Sequence, residues 1–249
     1  MANGDIITRD GHGKWLRFRN PVSVHTAMET CEVASVLEAV DVAVSKGIPV
    51  AGFIAYEAAS GLDAALETHA PDRYPLVWFG EYSAPDVLDA LPPPRQPALD
   101  LSWSPSTSDS EYAEALGRIK RYMLAGDTYQ VNFTIRLHAH AVDDAYSLFC
   151  RGQAYQLSEN AAYVDLGETA ICSVSPELFF ELDGDLIRAR PMKGTAPRGG
   201  SAEEDDRLAE ALHASPKDRA ENVMIVDMIR NDIGRVAEPG SVRVSRMYD

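Results

Sequence analysis

Residues 179–189 read FFELDGDLIRA. Two short, largely apolar stretches, Phe179 to Leu182 and Asp185 to Ala189, stand on either side of the pair Asp183-Gly184. Asp-Gly between two such stretches is a strong signal for a tight two-residue turn. The sequence therefore predicts a β-hairpin here, and with it an antiparallel arrangement of strands.

The segments just outside this hairpin carry residues with chemical potential. Ser175-Pro176-Glu177 precedes the first strand, and Arg190-Pro191-Met192-Lys193-Gly194-Thr195 follows the second. Because a hairpin returns the chain to its starting end, we expect Glu177 and Lys193 to approach each other. A lysine can act as a nucleophile when its environment favours the neutral amine, whereas a plain surface salt bridge is the simpler interpretation of the pair.

A helix is predicted farther along the chain. Ser215 is placed as its N-cap with Pro216 in the first turn, and the helix runs to about Asp232 with Gly234 behind it. Glu221 shares one face of this helix with two apolar residues. A half-buried carboxylate needs a cation or hydrogen bonds, so Glu221 is either paired with a neighbouring Arg or Lys or is a metal ligand.

Two further patterns precede the hairpin. Ser108 and Glu111 are spaced as a capping box for a helix that ends near Gly126. Residues 129–139 then alternate between apolar and polar side chains, YQVNFTIRLHA. Such alternation is typical of a long strand with one buried face in an antiparallel sheet.

The first 80 residues alternate short strand-like and helix-like stretches. The predicted elements are a strand at Trp15–Phe18, a helix at Ala34–Val44, and buried strands at Val50–Tyr56 and Leu76–Phe79. A Pro/Ser-rich stretch follows, and it is the best linker candidate. We therefore divide the chain into residues 1–82, a linker at 83–110, and a second region at 111–249.

Composition excludes several classes of partner and compartment. The 249 residues carry a formal net charge of −15, which disfavours nucleic acid and anionic membrane surfaces. Cys31, Cys150 and Cys172 are odd in number and far apart, as expected of free thiols in a reducing compartment. With no apolar signal core and no run long enough to span a bilayer, the sequence predicts a cytoplasmic protein.

Several blocks of the chain, in the same order, resemble the chorismate-binding enzymes. The blocks are Gly126–Asn132, Ser175–Glu177, Pro191–Thr195 and Lys217–Arg235. Upstream, Gly52–Ala59 and Trp78–Gly80 resemble the aminodeoxychorismate synthase branch of that family. The resemblance covers nearly the whole chain, and four blocks in the right order are highly specific.

The resemblance implies an α+β fold, a two-sheet antiparallel β-sandwich with helices outside. Family members continue well beyond the position of Asp249, so we expect the sandwich to be incomplete in this chain. The absent part would supply further substrate-binding and metal-binding residues. We therefore expect the 249-residue polypeptide to be inactive when it stands alone.

The reaction that the resemblance implies converts chorismate and ammonia to 4-amino-4-deoxychorismate, on the route to 4-aminobenzoate and folate. Ammonia would come from a separate glutamine amidotransferase subunit. Lys193 matches the covalent nucleophile, and Glu177 matches the residue that protonates the departing 4-hydroxyl. Gly194 and Thr195 match substrate-binding positions, and Glu221 matches a ligand of Mg²⁺.

Two other functions stay open. The first is anthranilate synthase component I, although those enzymes typically carry Ala at the position of Lys193. The second is a fragment without catalysis that binds chorismate or docks an amidotransferase. Anthranilate as the sole product would favour the first, and the end of the natural reading frame would test the second.

Overall fold

We describe the protein from a computed structural model, which covers residues 3–11, 13–71, 73–95, 101–139 and 144–248. It is a mixed α+β protein in which every strand pairing among these residues is antiparallel. The chain divides into two compact units. The first unit contains the residues up to Leu157 and Ala162–Ser173, and the second contains Ser158–Ala161 and Val174–Asp249.

Short antiparallel strands dominate the first unit. Its strands are β1 (Ile6–Arg9), β2 (Trp15–Phe18), β3 (Ser23–Ala27), β4 (Val50–Ile54), β5 (Val77–Glu81), β6 (Asp86–Leu88), β7 (Trp103–Pro105), β8 (Leu137–Ala139), β9 (Ala162–Asp165) and β10 (Ala170–Ser173). Its helices are α1 (Val33–Ser45), α2 (Ala59–Leu62), α3 (Asp109–Ala125) and α4 (Ala145–Gln156). One sheet has the strand order β10-β9-β1-β2-β6, a second has the order β3-β5-β4, and β7 pairs with β8.

The core of the first unit contains two clusters of buried apolar side chains. One consists of Ile6, Phe18, Trp78, Tyr82 and Val164, and the other of Ala27, Val33, Ala58, Leu76 and Val77. The Tyr82 hydroxyl donates a 2.7 Å hydrogen bond to the Gly4 carbonyl, which satisfies its polar end inside the core. Burial raises the pKa of this hydroxyl well above its usual value.

Local signals predict several elements of the first unit. The strand expected at Trp15–Phe18 is β2, and the helix expected at Ala34–Val44 is α1. The two strands expected to be buried correspond to β4, which is half-buried, and to β5, which is mostly buried. The capping box of α3 is confirmed: the Glu111 N–H donates to Ser108 Oγ at 3.4 Å, and the Ser108 N–H donates to the Glu111 carboxylate at 2.9 Å. Gly126 ends this helix with a φ of 83°.

The long strand predicted over residues 129–139 is wrong in most of its length. Only Leu137–Ala139 is a strand, and Phe133 is 39% exposed although its pattern predicts a buried face. The partner strand explains the difference, because its ladder with β8 ends at Pro105 and the chain then begins α3, whose N-cap is Ser108. Without a neighbouring strand to bond, an alternating pattern does not make a strand.

The stretch predicted as a linker carries regular structure at both ends. Within residues 83–110, β6 is the edge strand of the five-stranded sheet, and β7 pairs with β8. The two compact units of the structure meet along the chain around residues 157–174. The three-part division of the chain remains a prediction. Proline and serine content does not distinguish a linker from a surface segment that contains short edge strands.

The second unit consists of a hairpin and two helices. They are β11 (Leu178–Asp183), β12 (Leu186–Arg190), α5 (Ala202–Ala214) and α6 (Pro216–Gly234). The hairpin is confirmed. Its two turn residues are Gly184 and Asp185, one position beyond the predicted pair, and Gly184 has a positive φ of 57°. Ser215 caps α6 as predicted. In the part of the chain that the structure describes, no helix is long and apolar enough to cross a membrane.

Candidate active site

Glu177 lies against the loop that follows the hairpin. Its Oε1 accepts a hydrogen bond from the Met192 N–H at 3.2 Å, and its own N–H donates to Ser175 Oγ at 3.2 Å. The side chain is otherwise open to solvent. The hairpin therefore brings the carboxylate to the residue that directly precedes Lys193.

A short turn at residues 158–160 supports the backbone before Glu177. The hydroxyl of Ser158, which is buried, donates to the Ser175 carbonyl and accepts from the Asn160 N–H at 3.1 Å. The Asn160 side-chain amide donates to the Pro176 carbonyl at 3.2 Å. Two consecutive carbonyls ahead of Glu177 thus have fixed partners.

Lys193 is half-buried in the loop between β12 and α5. The next residue, Gly194, has a φ of 83°, and a Cβ added there would lie 3.1 Å from the Asp218 Cβ and 3.2 Å from the Leu212 Cδ1. Only glycine adopts this backbone conformation without strain in so little space. The loop therefore passes close to α5 and α6 directly after the lysine, and Thr195 follows as an exposed residue.

The far end of this loop is held by the first turn of α5. The Arg198 guanidinium binds the Asp205 carboxylate with two contacts, of which Nε to Oδ1 is 2.7 Å. The Gly199 N–H donates to the same Oδ1 at 2.9 Å, and the Gly200 N–H donates to Glu204 Oε2 at 2.9 Å. The hydrogen bond from Arg198, together with that from Gly199, holds the pKa of Asp205 below its usual value.

Glu221 lies on α6, one turn beyond the Asp218 that packs against Gly194. Its Oε1 is 3.2 Å from Lys217 Nζ, an ion pair at helical spacing, and its side chain is half-buried. The hydrogen bond and the charge of Glu221 raise the pKa of Lys217. A neighbouring cation therefore satisfies this carboxylate, the simpler of the two interpretations that the sequence offers.

These residues do not form a complete magnesium site by themselves. Magnesium takes six oxygen ligands, often one or two carboxylates together with waters and substrate. Across the described residues, no three His, Cys, Asp or Glu side chains come together in a group that could hold a metal. Glu221 offers one carboxylate, which Lys217 already neutralises.

Three residues that support the site, Ser158, Asn160 and Asp205, are not among the site residues predicted from the sequence. The contact from Ser158 to Ser175 joins residues 17 apart, and no local pattern encodes such a contact. Asp205 follows a recognisable signal, because Ser201 and Glu204 have the spacing of a helix N-terminus. That signal predicts α5 and places Asp205 in its first turn.

The chain belongs to the chorismate-binding enzyme family. The family described as chorismate binding enzyme matches residues 14–249. This match covers the hairpin, α6 and most of the first unit. It also covers residues 191–201, the loop between β12 and α5 that contains Lys193 and is called the lysine loop below.

Curated relatives include synthases of two kinds. The chain is 44% identical over 186 residues to aminodeoxychorismate synthase component 1 of Klebsiella aerogenes, a match that covers 75% of this chain and 40% of the relative. It is 43% identical over 137 residues to anthranilate synthase component 1 of Thermus thermophilus, which covers 55% of this chain and 30% of the relative. The chain thus spans well under half the length of these relatives.

Solved structures show the same fold. A Bacillus anthracis protein described as a 2,3-dihydroxybenzoate-specific isochorismate synthase superposes with a TM-score of 0.65 at 17% identity, covering 94% of this chain and 60% of that one. Anthranilate synthase component I from Streptococcus pneumoniae gives a TM-score of 0.65 at 21% identity, covering 80% and 53%.

Proposed function

We propose that this chain is part of a synthase that converts chorismate and ammonia to 4-amino-4-deoxychorismate, a precursor of 4-aminobenzoate and folate. The observation that carries the proposal is the environment of Lys193, which is half-buried. The residue before it, Met192, donates its N–H to Glu177, and the residue after it, Gly194, packs on α6. The similarity to aminodeoxychorismate synthases over 75% of the chain supports it.

In the proposed reaction the neutral Lys193 amine attacks C2 of the chorismate ring. A C2–N bond forms, the two conjugated ring double bonds shift toward C4, and the C4–O bond breaks. Glu177 gives a proton to the leaving 4-hydroxyl, which departs as water. The lysine nitrogen, which becomes positively charged on attack, returns one proton to the Glu177 carboxylate. Ammonia then adds at C4, the double bonds shift back, and the C2–N bond breaks as a proton passes from the new C4 nitrogen to the lysine nitrogen, which regenerates the amine.

The Glu177–Met192 contact suits this division of roles. It holds the carboxyl group of Glu177 at the backbone of the lysine loop rather than leaving it to move freely. A proton donor held against the loop that carries the nucleophile lowers the entropic part of the barrier. Gly194 and Thr195, which continue the loop, are proposed to contact the substrate.

Glu221 is proposed to supply one ligand to a magnesium ion, which when bound neutralises a carboxylate of the chorismate dianion. We expect Glu221→Gln to weaken magnesium binding measured by calorimetry, and to weaken chorismate binding with it. Glu210→Gln, an exposed change on α5, serves as the control. Equal magnesium affinity in wild type and Glu221→Gln would remove the ligand role.

The fold and partners of the complete protein are part of the proposal. We propose that its antiparallel sheets pack as a two-sheet sandwich with helices outside, as in the family. Because the curated relatives are named as component 1, we also propose that a separate glutamine amidotransferase delivers the ammonia.

Anthranilate synthase component I is the second candidate, favoured by the 43% identity to the Thermus thermophilus protein. Lys193 argues against it, because anthranilate synthases typically carry alanine at that position.

The deciding experiment incubates the complete gene product with chorismate, magnesium and ammonium, and separates the products by chromatography. We expect aminodeoxychorismate, and a loss of at least about a hundredfold in rate for Lys193→Ala, since each tenfold is about 1.4 kcal/mol of barrier. Lys120→Ala, an exposed lysine on α3, should keep the rate. Anthranilate as the sole product would overturn the proposal.

A further inference from the structure

The turn at residues 158–160 is an unusual contributor to the second unit, because its neighbours on both sides along the chain belong to the first. Two of its side chains donate to neighbouring backbone carbonyls. Ser158 is 3% exposed and donates to the Ser175 carbonyl, and Asn160 donates from its side chain to the Pro176 carbonyl at 3.2 Å.

These two bonds act on the backbone that leads directly into Glu177. The Glu177 N–H in turn donates to Ser175 Oγ, and the Glu177 carboxylate accepts from Met192. Asn160 is therefore linked to Met192, the residue before Lys193, by its hydrogen bond to Pro176, the peptide bond from Pro176 to Glu177, and the hydrogen bond between Glu177 and Met192. The side chain of Asn160 is the outermost donor of this link, and it can be altered without touching the reacting groups.

We infer that Asn160 and Ser158 are positioning residues for the Glu177 carboxyl group, an inference that rests on the proposed role of Glu177 as proton donor. Both residues bond the backbone before Glu177 rather than its carboxyl group. Their effect is to hold Pro176 and therefore the direction in which the Glu177 side chain leaves the backbone. A carboxyl group that is slightly displaced transfers its proton less well, and small displacements cost large factors in rate.

The test uses Asn160→Asp, which keeps the size of the side chain and removes its N–H donor, with Asn160→Ala as a second variant. In the complete enzyme we expect kcat to fall about tenfold while KM for chorismate stays unchanged, because binding does not need the proton donor. Glu159→Ala, an exposed neighbour in the same turn, should leave both constants unchanged.

A double-mutant cycle separates positioning from a general loss of structure. If Asn160 acts through Glu177, Asn160→Asp should have no further effect on kcat in a Glu177→Gln background. An additive loss in the double variant, or wild-type kcat in both Asn160 variants, would overturn the inference.

Amide hydrogen exchange at Met192 tests the geometry independently of turnover. We expect its exchange to become faster in Asn160→Asp and Asn160→Ala, since both release the Glu177 carboxylate that accepts from it. If the enzyme forms no aminodeoxychorismate, the proposed function fails, and the exchange result still decides whether Asn160 positions Glu177. Unchanged exchange in both variants would refute the positioning role.

Discussion

Gly194 shows how one residue determines the path of the lysine loop. Alanine at this position would pay the cost of a left-handed backbone, about 1–2 kcal/mol. It would also press its Cβ against Asp218 and Leu212, which adds about 1–3 kcal/mol of overpacking. We expect Gly194→Ala to destabilise the second unit in urea unfolding, and to speed amide exchange in α6.

Gly240 offers a matched control for this prediction. Its φ is also 83°, but a Cβ added there meets nothing within 4 Å. Gly240→Ala should therefore show the backbone cost alone. If the two variants are equally destabilised, the packing of Gly194 on α6 is not what restrains the loop.

The sequence predicts contacts between residues that are joined by a local element better than contacts between residues that are not. The hairpin signal places Glu177 at the lysine loop because the two strands pair locally. The sequence leaves open whether Glu221 pairs with a neighbouring Arg or Lys or binds a metal. The observed partner, Lys217, is such a neighbour, one helical turn away. Asn160 has no such signal, because its contact with Pro176 depends on the path of the chain between them.

The junction of the loop with α5 rests on two adjacent glycines that differ in their surroundings. A Cβ on Gly199 would lie 2.4 Å from the Asp205 backbone nitrogen, whereas one on Gly200 would lie 3.5 Å from the end of the Glu204 side chain. We expect Gly199→Ala to lower the unfolding free energy by about 2 kcal/mol or more. Gly200→Ala should change it by less than about 1 kcal/mol. Equal effects in thermal unfolding would contradict this close approach.

The Arg198–Asp205 pair makes the same junction sensitive to acid. Because the folded state lowers the pKa of Asp205, its contribution is complete above the pKa of the unfolded chain and is lost as pH falls through the folded value. We expect the difference in Tm between wild type and Asp205→Asn to be greatest near pH 6 and to shrink toward pH 3. A difference that stays constant over this range would show that the charge of Asp205 is not involved.

Helix ends are the elements that the sequence predicts most accurately. Ser108 and Ser215 cap α3 and α6 as expected, because a cap is formed by residues three apart. The strand expected at residues 129–139 fails for the opposite reason. A strand is completed by hydrogen bonds from a neighbour, and the only neighbour described, β7, is three residues long.

The apolar side chains of residues 129–137 are exposed on the surface of the molecule. Val131, Phe133 and Ile135 are 43%, 39% and 42% exposed, and such an apolar stripe favours association. We expect the 249-residue polypeptide to self-associate in analytical ultracentrifugation, and more so at high salt, which screens its charge of −15. Val131→Lys should reduce association, whereas Thr134→Lys, at an exposed polar position of the same segment, should not. A monomer at all concentrations and salt levels would contradict this account.

The most direct test of the proposed chemistry is to trap the lysine adduct. The complete gene product is mixed with chorismate and magnesium in the absence of ammonia, digested, and examined by mass spectrometry. We predict that the peptide containing Lys193 gains the mass of chorismate less one water, that Lys120→Ala retains this adduct, and that Lys193→Ala lacks it. Aminodeoxychorismate formed by Lys193→Ala at the wild-type rate, with no adduct on Lys193 in wild type, would contradict the covalent mechanism.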